Sequence, residues 1–119
     1  MDKRILLVED NRDEREGLAK LLEGSGFSVE TAENGLFALD KLKEEEFDLV
    51  VTDLMMPAAD GLQFLHTIRS AGDEMPVIVI TGNENIASML SAFQMGALDV
   101  VYKPFNYDTL LETISGVLS

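Results

Sequence analysis

Phe47-Asp48-Leu49-Val50-Val51-Thr52-Asp53 is the stretch that decides how this chain folds. Its apolar run, 47–52, is nearly continuous and lacks the every-second-residue alternation of a strand with one wet face. Such a run, rich in branched residues, fits a strand buried on both sides, as in a parallel sheet. The run then meets an aspartate, and Leu54-Met55-Met56 beyond it are apolar again. An unpaired carboxylate is costly to bury in such surroundings. Asp53 therefore reads as a functional residue before anything else is known.

Working outward, four more apolar runs stand at 5–8, 27–29, 77–80 and 98–102. Helical spacing fills the gaps between them. Leu18, Leu21 and Leu22 precede Ser25-Gly26, a helix with a glycine stop. Asn34 suits the N-cap of a second helix carrying Ala38, Leu39 and Leu42. Asp60 suits the cap of a third, with Phe64, Leu65 and Ile68 facing inward. Ile86, Met89, Leu90 and Phe93 mark a fourth that ends near Gly96, and Tyr107, Leu110, Leu111, Ile114, Val117 and Leu118 mark a fifth. Strand and helix thus alternate five times, which predicts an α/β fold around a parallel sheet. Five strands favour a flavodoxin-like, doubly wound (βα)5 sheet in the order 2-1-3-4-5 over the six-stranded dinucleotide fold. No repeat or linker interrupts the pattern, so one domain is expected over 1–119.

Composition limits what such a domain does. The chain has 119 residues, 46% of them hydrophobic, enough for one packed core. It has no cysteine, which excludes disulfides, thiol chemistry and thiolate metal sites. No apolar run reaches the roughly 20 residues a membrane helix needs, and the apolar run at 5–8 meets Glu9-Asp10 instead of a signal-peptide cleavage site. A cytoplasmic location is expected. The net charge of -13 repels nucleic-acid phosphates and favours cations and basic partner surfaces.

In an open parallel sheet, ligands gather at the C-terminal ends of the strands. There the first strand delivers Glu9 and Asp10, the third Asp53, the fourth Thr81 and the fifth Lys103. The first and third strands are neighbours in the expected order, about 4.8 Å apart. Three carboxylates therefore converge, and two charges ~5 Å apart repel by roughly 3 kcal/mol at an effective dielectric of 20. A bound cation is the simplest remedy. All the candidate ligands are hard oxygens, which suits Mg²⁺, with Mn²⁺ as a substitute. Lys103 supplies a compact counter-charge and Thr81 a hydroxyl for phosphoryl oxygens. Together these residues suit phosphoryl transfer to a carboxylate, a reaction that rests on positioning and charge stabilisation. Asp53 would be the nucleophile.

With those residues assembled, the chain resembles a response-regulator receiver domain, of the kind typified by chemotaxis regulators, over essentially its whole length. Ile5-Leu6-Leu7-Val8-Glu9-Asp10-Asn11 resembles the family's opening strand and acidic pair. Asp53-Leu54-Met55-Met56-Pro57 with Asp60-Gly61 resembles its phosphoacceptor loop, and Val77-Ile78-Val79-Ile80-Thr81-Gly82 its fourth strand and switch threonine. Gly96-Ala97 and Lys103-Pro104-Phe105 resemble its closing signature. The resemblance implies that Glu9, Asp10, Asp53 and the backbone carbonyl of Met55 hold Mg²⁺. It implies that Asp53 takes phosphate from a phosphohistidine of a sensor histidine kinase or histidine phosphotransfer protein, and that the Lys103-Pro104 bond is cis. It implies a signalling switch, not a metabolic enzyme, that promotes phosphorylation and dephosphorylation of its own aspartate. Thr81 and Lys103 would draw toward the phosphoryl group. The fourth helix, fifth strand and fifth helix would then change their affinity for a downstream protein or output domain, with homodimer formation on phosphorylation one expected outcome.

Two positions depart from the family's pattern. Val100 stands where an aromatic switch residue is usual, three places before Lys103, and the aromatic is instead Tyr102. Gly82 follows Thr81 where alanine is common. His66, the single histidine, falls in the third helix and reads as a surface residue. Rival readings fare worse. A flavin-binding protein of this fold needs an anion-friendly loop after the first strand, and Glu9-Asp10-Asn11-Arg12-Asp13 would repel a phosphate. An aspartate-nucleophile phosphatase usually carries a second aspartate where Met55 stands. The remaining alternatives are a receiver cut from a DNA-binding regulator or hybrid histidine kinase, and a receiver-like interaction module that is never phosphorylated.

Overall fold

The computed structural model describes residues 2–53, 61–72, 74–82 and 86–119, and within these the side chains of residues 61, 62 and 86–89 are left out. The chain runs β1 (Arg4–Val8), α1 (Arg12–Gly24), β2 (Ser28–Ala32), α2 (Gly35–Glu44), β3 (Leu49–Asp53), α3 (Gly61–Ser70), β4 (Val77–Thr81), α4 (Ile86–Gln94), β5 (Asp99–Tyr102) and α5 (Tyr107–Leu118). The strands form one sheet in the order β2-β1-β3-β4-β5, with every pair parallel. This is the flavodoxin-like order expected from the alternation of strand and helix.

The continuous apolar runs are explained by two cores, one on each face. Ile5 and Leu7 of β1, Leu49 and Val51 of β3 and Ile78 and Ile80 of β4 meet Ala19 and Leu22 of α1 and Leu110 and Ile114 of α5. The intervening Leu6, Val8, Val50, Val77 and Val79 meet Ala38 of α2, Phe64, Leu65 and Ile68 of α3 and Ala92 of α4. Successive strand residues point to opposite faces, so a strand covered on both sides can spare no polar position. All five residues of β3 and of β4 are buried. β2 lies at the sheet edge and is mostly half-buried. This explains why its apolar run is short, although pairing with β1 carries the strand on to Ala32.

The helix boundaries follow local chemistry. The side chains of Asn11, Asn34 and Asn106 each accept a hydrogen bond from a first-turn N–H of α1, α2 and α5. Gly26 sits at φ 99° just past α1, and Gly96 at φ 101° just past α4, a region in which only glycine is at ease. Asp60, expected to cap α3, lies outside the described residues. Leu90 and Phe93 mark α4 by their spacing, yet they are 50% and 42% exposed, and Ala92 between them is buried. His66 is exposed on α3 and lies 3.4 Å from the Ser70 hydroxyl.

Candidate functional site

The parallel register brings the polar residues to one edge. Val8 pairs with Thr52, and Asp53 with Ile80, so Glu9, Asp10 and Asp53 leave the sheet side by side. Each offers a carboxylate oxygen, and those three atoms lie within 4.8 Å of one another. Glu9 and Asp53 are buried, each 6% exposed, while Asp10 faces solvent. Thr81, also buried, ends β4 opposite Tyr102 of β5. The Lys103 amide donates to the Thr81 carbonyl at 2.8 Å, which carries the pairing one step further and aims Lys103 back across the sheet edge. The Lys103–Pro104 peptide bond is cis.

Lys103 is the hub. Its Nζ donates to Asp53 Oδ2 at 2.9 Å, to Glu9 Oε2 at 3.1 Å and to Glu14 Oε2 at 3.2 Å. An ammonium has three N–H donors, and here each meets a carboxylate. Burial alone would lower the lysine pKa. The hydrogen bonds and charges of Asp53 and Glu9 outweigh it and raise the pKa above the ordinary lysine value. Glu9 moves differently. Burial is the main cause that pushes its carboxyl up to about 7, aided by the Asp53 charge and by Asp10, against the Asn11 N–H and Lys103. Glu9 is thus poised between its neutral and charged forms near neutral pH, while Lys103 stays charged.

The turn after β1 fixes Glu9 from several sides. The Asn11 N–H donates to Glu9 Oε1 at 3.2 Å, the Glu9 N–H to the Ala32 carbonyl at 3.1 Å, and Arg15 Nη1 to the Glu9 carbonyl at 2.9 Å. Arg15 and Glu14 did not emerge from the sequence as site residues. For Glu14 a signal existed. Asn11-Arg12-Asp13-Glu14 has the spacing of a capping box, which puts Glu14 in the first turn of the helix that rises from the acidic edge. Half of that box forms, since Asn11 Oδ1 accepts from the Glu14 N–H at 3.0 Å. The Asn11 N–H is taken by Glu9, and the Glu14 carboxylate turns to Lys103 instead.

Beside this hub, a groove of about 490 Å³ runs between α1 and the turn after β5, lined by Glu9, Glu14, Leu18, Lys103, Pro104 and Phe105 among others. Of the two candidate relay residues, Val100 packs half-buried against the core shared by α2, α3 and α4, and Tyr102 is half-buried at the strand end, paired with Thr81. Met55 lies outside the described residues.

A family model described as the response regulator receiver domain matches residues 5–115. The chain is 39% identical over 118 residues to a response regulator, MprA, of a Mycobacterium species, covering 99% of this chain and 51% of that protein. It spans about half the length of the relatives it matches in this way. Among solved structures, it superposes on a CheY-like response regulator receiver domain protein from Methanospirillum hungatei with a TM-score of 0.93 at 30% identity, covering 99% of this chain and 94% of that one. It also superposes on NtrX from Brucella abortus with a TM-score of 0.91 at 33% identity, covering 99% of this chain but 27% of that one.

Proposed function

The chain belongs to the response regulator receiver domain family, and on that premise we propose that its residues 1–119 form one phosphoacceptor domain in which Asp53 receives a phosphoryl group. An Asp53 carboxylate oxygen bonds to phosphorus as the bond from phosphorus to the donor breaks, and the leaving group departs with the electron pair. From a kinase or phosphotransfer protein the donor atom is a histidine nitrogen. The product is an acyl phosphate on Asp53. What carries this reading is the contact of the Lys103 ammonium with Asp53 and Glu9 at the strand ends, beside Asp10. An ammonium so placed offsets charge that builds on the phosphoryl oxygens.

Mg²⁺, or Mn²⁺ in its place, fits the donor set. Glu9, Asp10 and Asp53 offer hard oxygens within 4.8 Å of one another, against about 4.2 Å between opposite ligands of an octahedral Mg²⁺. The ion would be held by these three carboxylates and the Met55 carbonyl. When bound it supplies charge neutralisation for the phosphoryl oxygens. Binding there would favour the charged form of Glu9, against the burial that pushes its carboxyl up to about 7. Thr81 and Lys103 would draw in around the phosphoryl group. Tyr102, paired with Thr81, is better placed than Val100 to follow that movement. Such a switch shifts a balance of states only as far as the phosphoryl group favours one of them.

The signal would leave through α4, β5 and α5, toward a downstream protein, an output domain or a second copy of the chain. Leu90, Phe93 and Leu98, each at least 42% exposed, support that choice of face. No helix among the described residues is long and apolar enough to cross a membrane, which is compatible with a cytoplasmic phosphodonor. The reading is tested by incubating the protein with acetyl phosphate and Mg²⁺ and following intact mass. One added phosphoryl group is expected, its appearance dependent on Mg²⁺ and abolished in Asp53→Ala. Labelling that persists in Asp53→Ala would overturn the assignment.

A further inference from the structure

Lys103 has no N–H left for a newcomer. Its three donors end on Asp53 Oδ2, Glu9 Oε2 and Glu14 Oε2. For its ammonium to hold a phosphoryl oxygen, one of the three must let go. The three carboxylates differ sharply in what release costs. Asp53 and Glu9 side chains are 7% and 8% exposed, and the Glu14 side chain is 53% exposed. A carboxylate leaving a buried ion pair stays desolvated and unpaired, whereas one at the surface is rehydrated at once. Glu9 is also pinned by the Asn11 N–H on its other oxygen.

We infer that Glu14 is a placeholder on Lys103, occupying in the resting protein the ammonium position that a phosphoryl oxygen takes in the activated one. The inference rests on the proposed phosphorylation of Asp53 and adds a residue to that site. Glu14 acts through Lys103 and is a positioning residue. It keeps the ammonium directed at the strand ends and competes with the phosphoryl group for it. The split capping box explains why Glu14 is available for this. Glu9 has taken the Asn11 N–H that would otherwise hold the Glu14 carboxylate, while Asn11 Oδ1 still fixes the backbone of Glu14 at 3.0 Å. The same exchange links phosphorylation to the first turn of α1, which loses its ion pair to Lys103, just past β5, each time the site is filled.

Competition of this kind has a definite sign. Removing Glu14 strengthens binding of a phosphoryl mimic, although it deletes a contact of the resting protein. Asp13 provides the control. It adjoins Glu14 in the same turn, carries the same charge and lines the same groove, but no ion pair joins it to Lys103.

The experiment titrates the whole chain with beryllofluoride at saturating Mg²⁺ and follows backbone amide resonances, for wild type, Glu14→Ala and Asp13→Ala. A surface ion pair of this exposure corresponds to a gain of about two- to fivefold in apparent affinity for Glu14→Ala. Asp13→Ala should change it less than twofold, and the initial rate of labelling by acetyl phosphate should follow the same order. Equal gains in both variants would show a general charge effect and overturn the placeholder role, as would weaker binding in Glu14→Ala. Failure of the wild type to be labelled would instead sink the phosphoacceptor reading itself, so the two failures are separable. Melting temperatures of the two variants check that helix α1 is intact.

Discussion

Along α5, Leu110 and Ile114 are fully buried against the sheet, Asn106 caps the first turn, and Tyr107 reaches across to α1. The Tyr107 hydroxyl donates to the Leu21 carbonyl at 3.0 Å and lies 2.7 Å from the Ser25 hydroxyl. Along α4, on the other face, Ala92 is the single buried residue among the described side chains, while Leu90 and Phe93 stand half in water. Arg69 of α3 donates to the Gly96 carbonyl at 2.8 Å just beyond the end of α4. β5, which precedes Lys103, lies between α5, fastened by large apolar side chains, and the 90–94 stretch of α4, whose one buried side chain is small. Burial of apolar area sets how strongly a segment is held, so residues 90–94 of α4 contribute far less to holding their helix than Leu110 and Ile114 contribute to holding α5. Of these two stretches, the one with less apolar burial is also the one that carries exposed apolar residues, Leu90 and Phe93.

Three substitutions probe that contrast. The largest effect is expected from Ile114→Ala, which empties a fully enclosed position on α5 and should cost about 2–5 kcal/mol in urea unfolding. A cost below about 1 kcal/mol would mean that α5 is no better held than the 90–94 stretch of α4. Tyr107→Phe removes one hydroxyl that joins α5 to α1, with an expected loss of about 1 kcal/mol and faster hydrogen exchange in the last turn of α1. Unchanged exchange there would remove Tyr107 from the account of α5's rigidity. The smallest effect belongs to Phe93→Ala. Truncating an aromatic ring that already faces solvent should shift stability by no more than about 0.5 kcal/mol. If it costs as much as Ile114→Ala, the contrast between the two helices fails.

Much of this was legible in the residues. Val50, Val51, Ile78 and Val79 announce strands buried on both faces, because no position among them is spared for water. The alternation of such runs with helical spacing leaves few topologies. Asp53, Thr81 and Lys103 could be placed on one edge from strand ends alone, since in a parallel sheet all the C-termini lie together. The α4 spacing was legible too, but not its exposure. Leu90 and Phe93 have the rhythm of a core-facing helix, and periodicity records which residues share a face without recording what covers it.

The sequence by itself determined the sheet, its order and the residue types at its C-terminal edge, because these follow from local hydrophobic pattern and chain connectivity. Only the tertiary structure decided how those residues pair. Glu9 and Asp53 could have repelled each other across the site, but Lys103, 50 positions beyond Asp53, lies between them and Glu14 as a third partner completes its shell. Which acid takes the Asn11 N–H, and which is left to reach the lysine, depends on distances of a few tenths of an ångström between atoms far apart in the chain. No pattern of residue types encodes such distances, because they are fixed by the packing of two cores that every part of the chain helps to build.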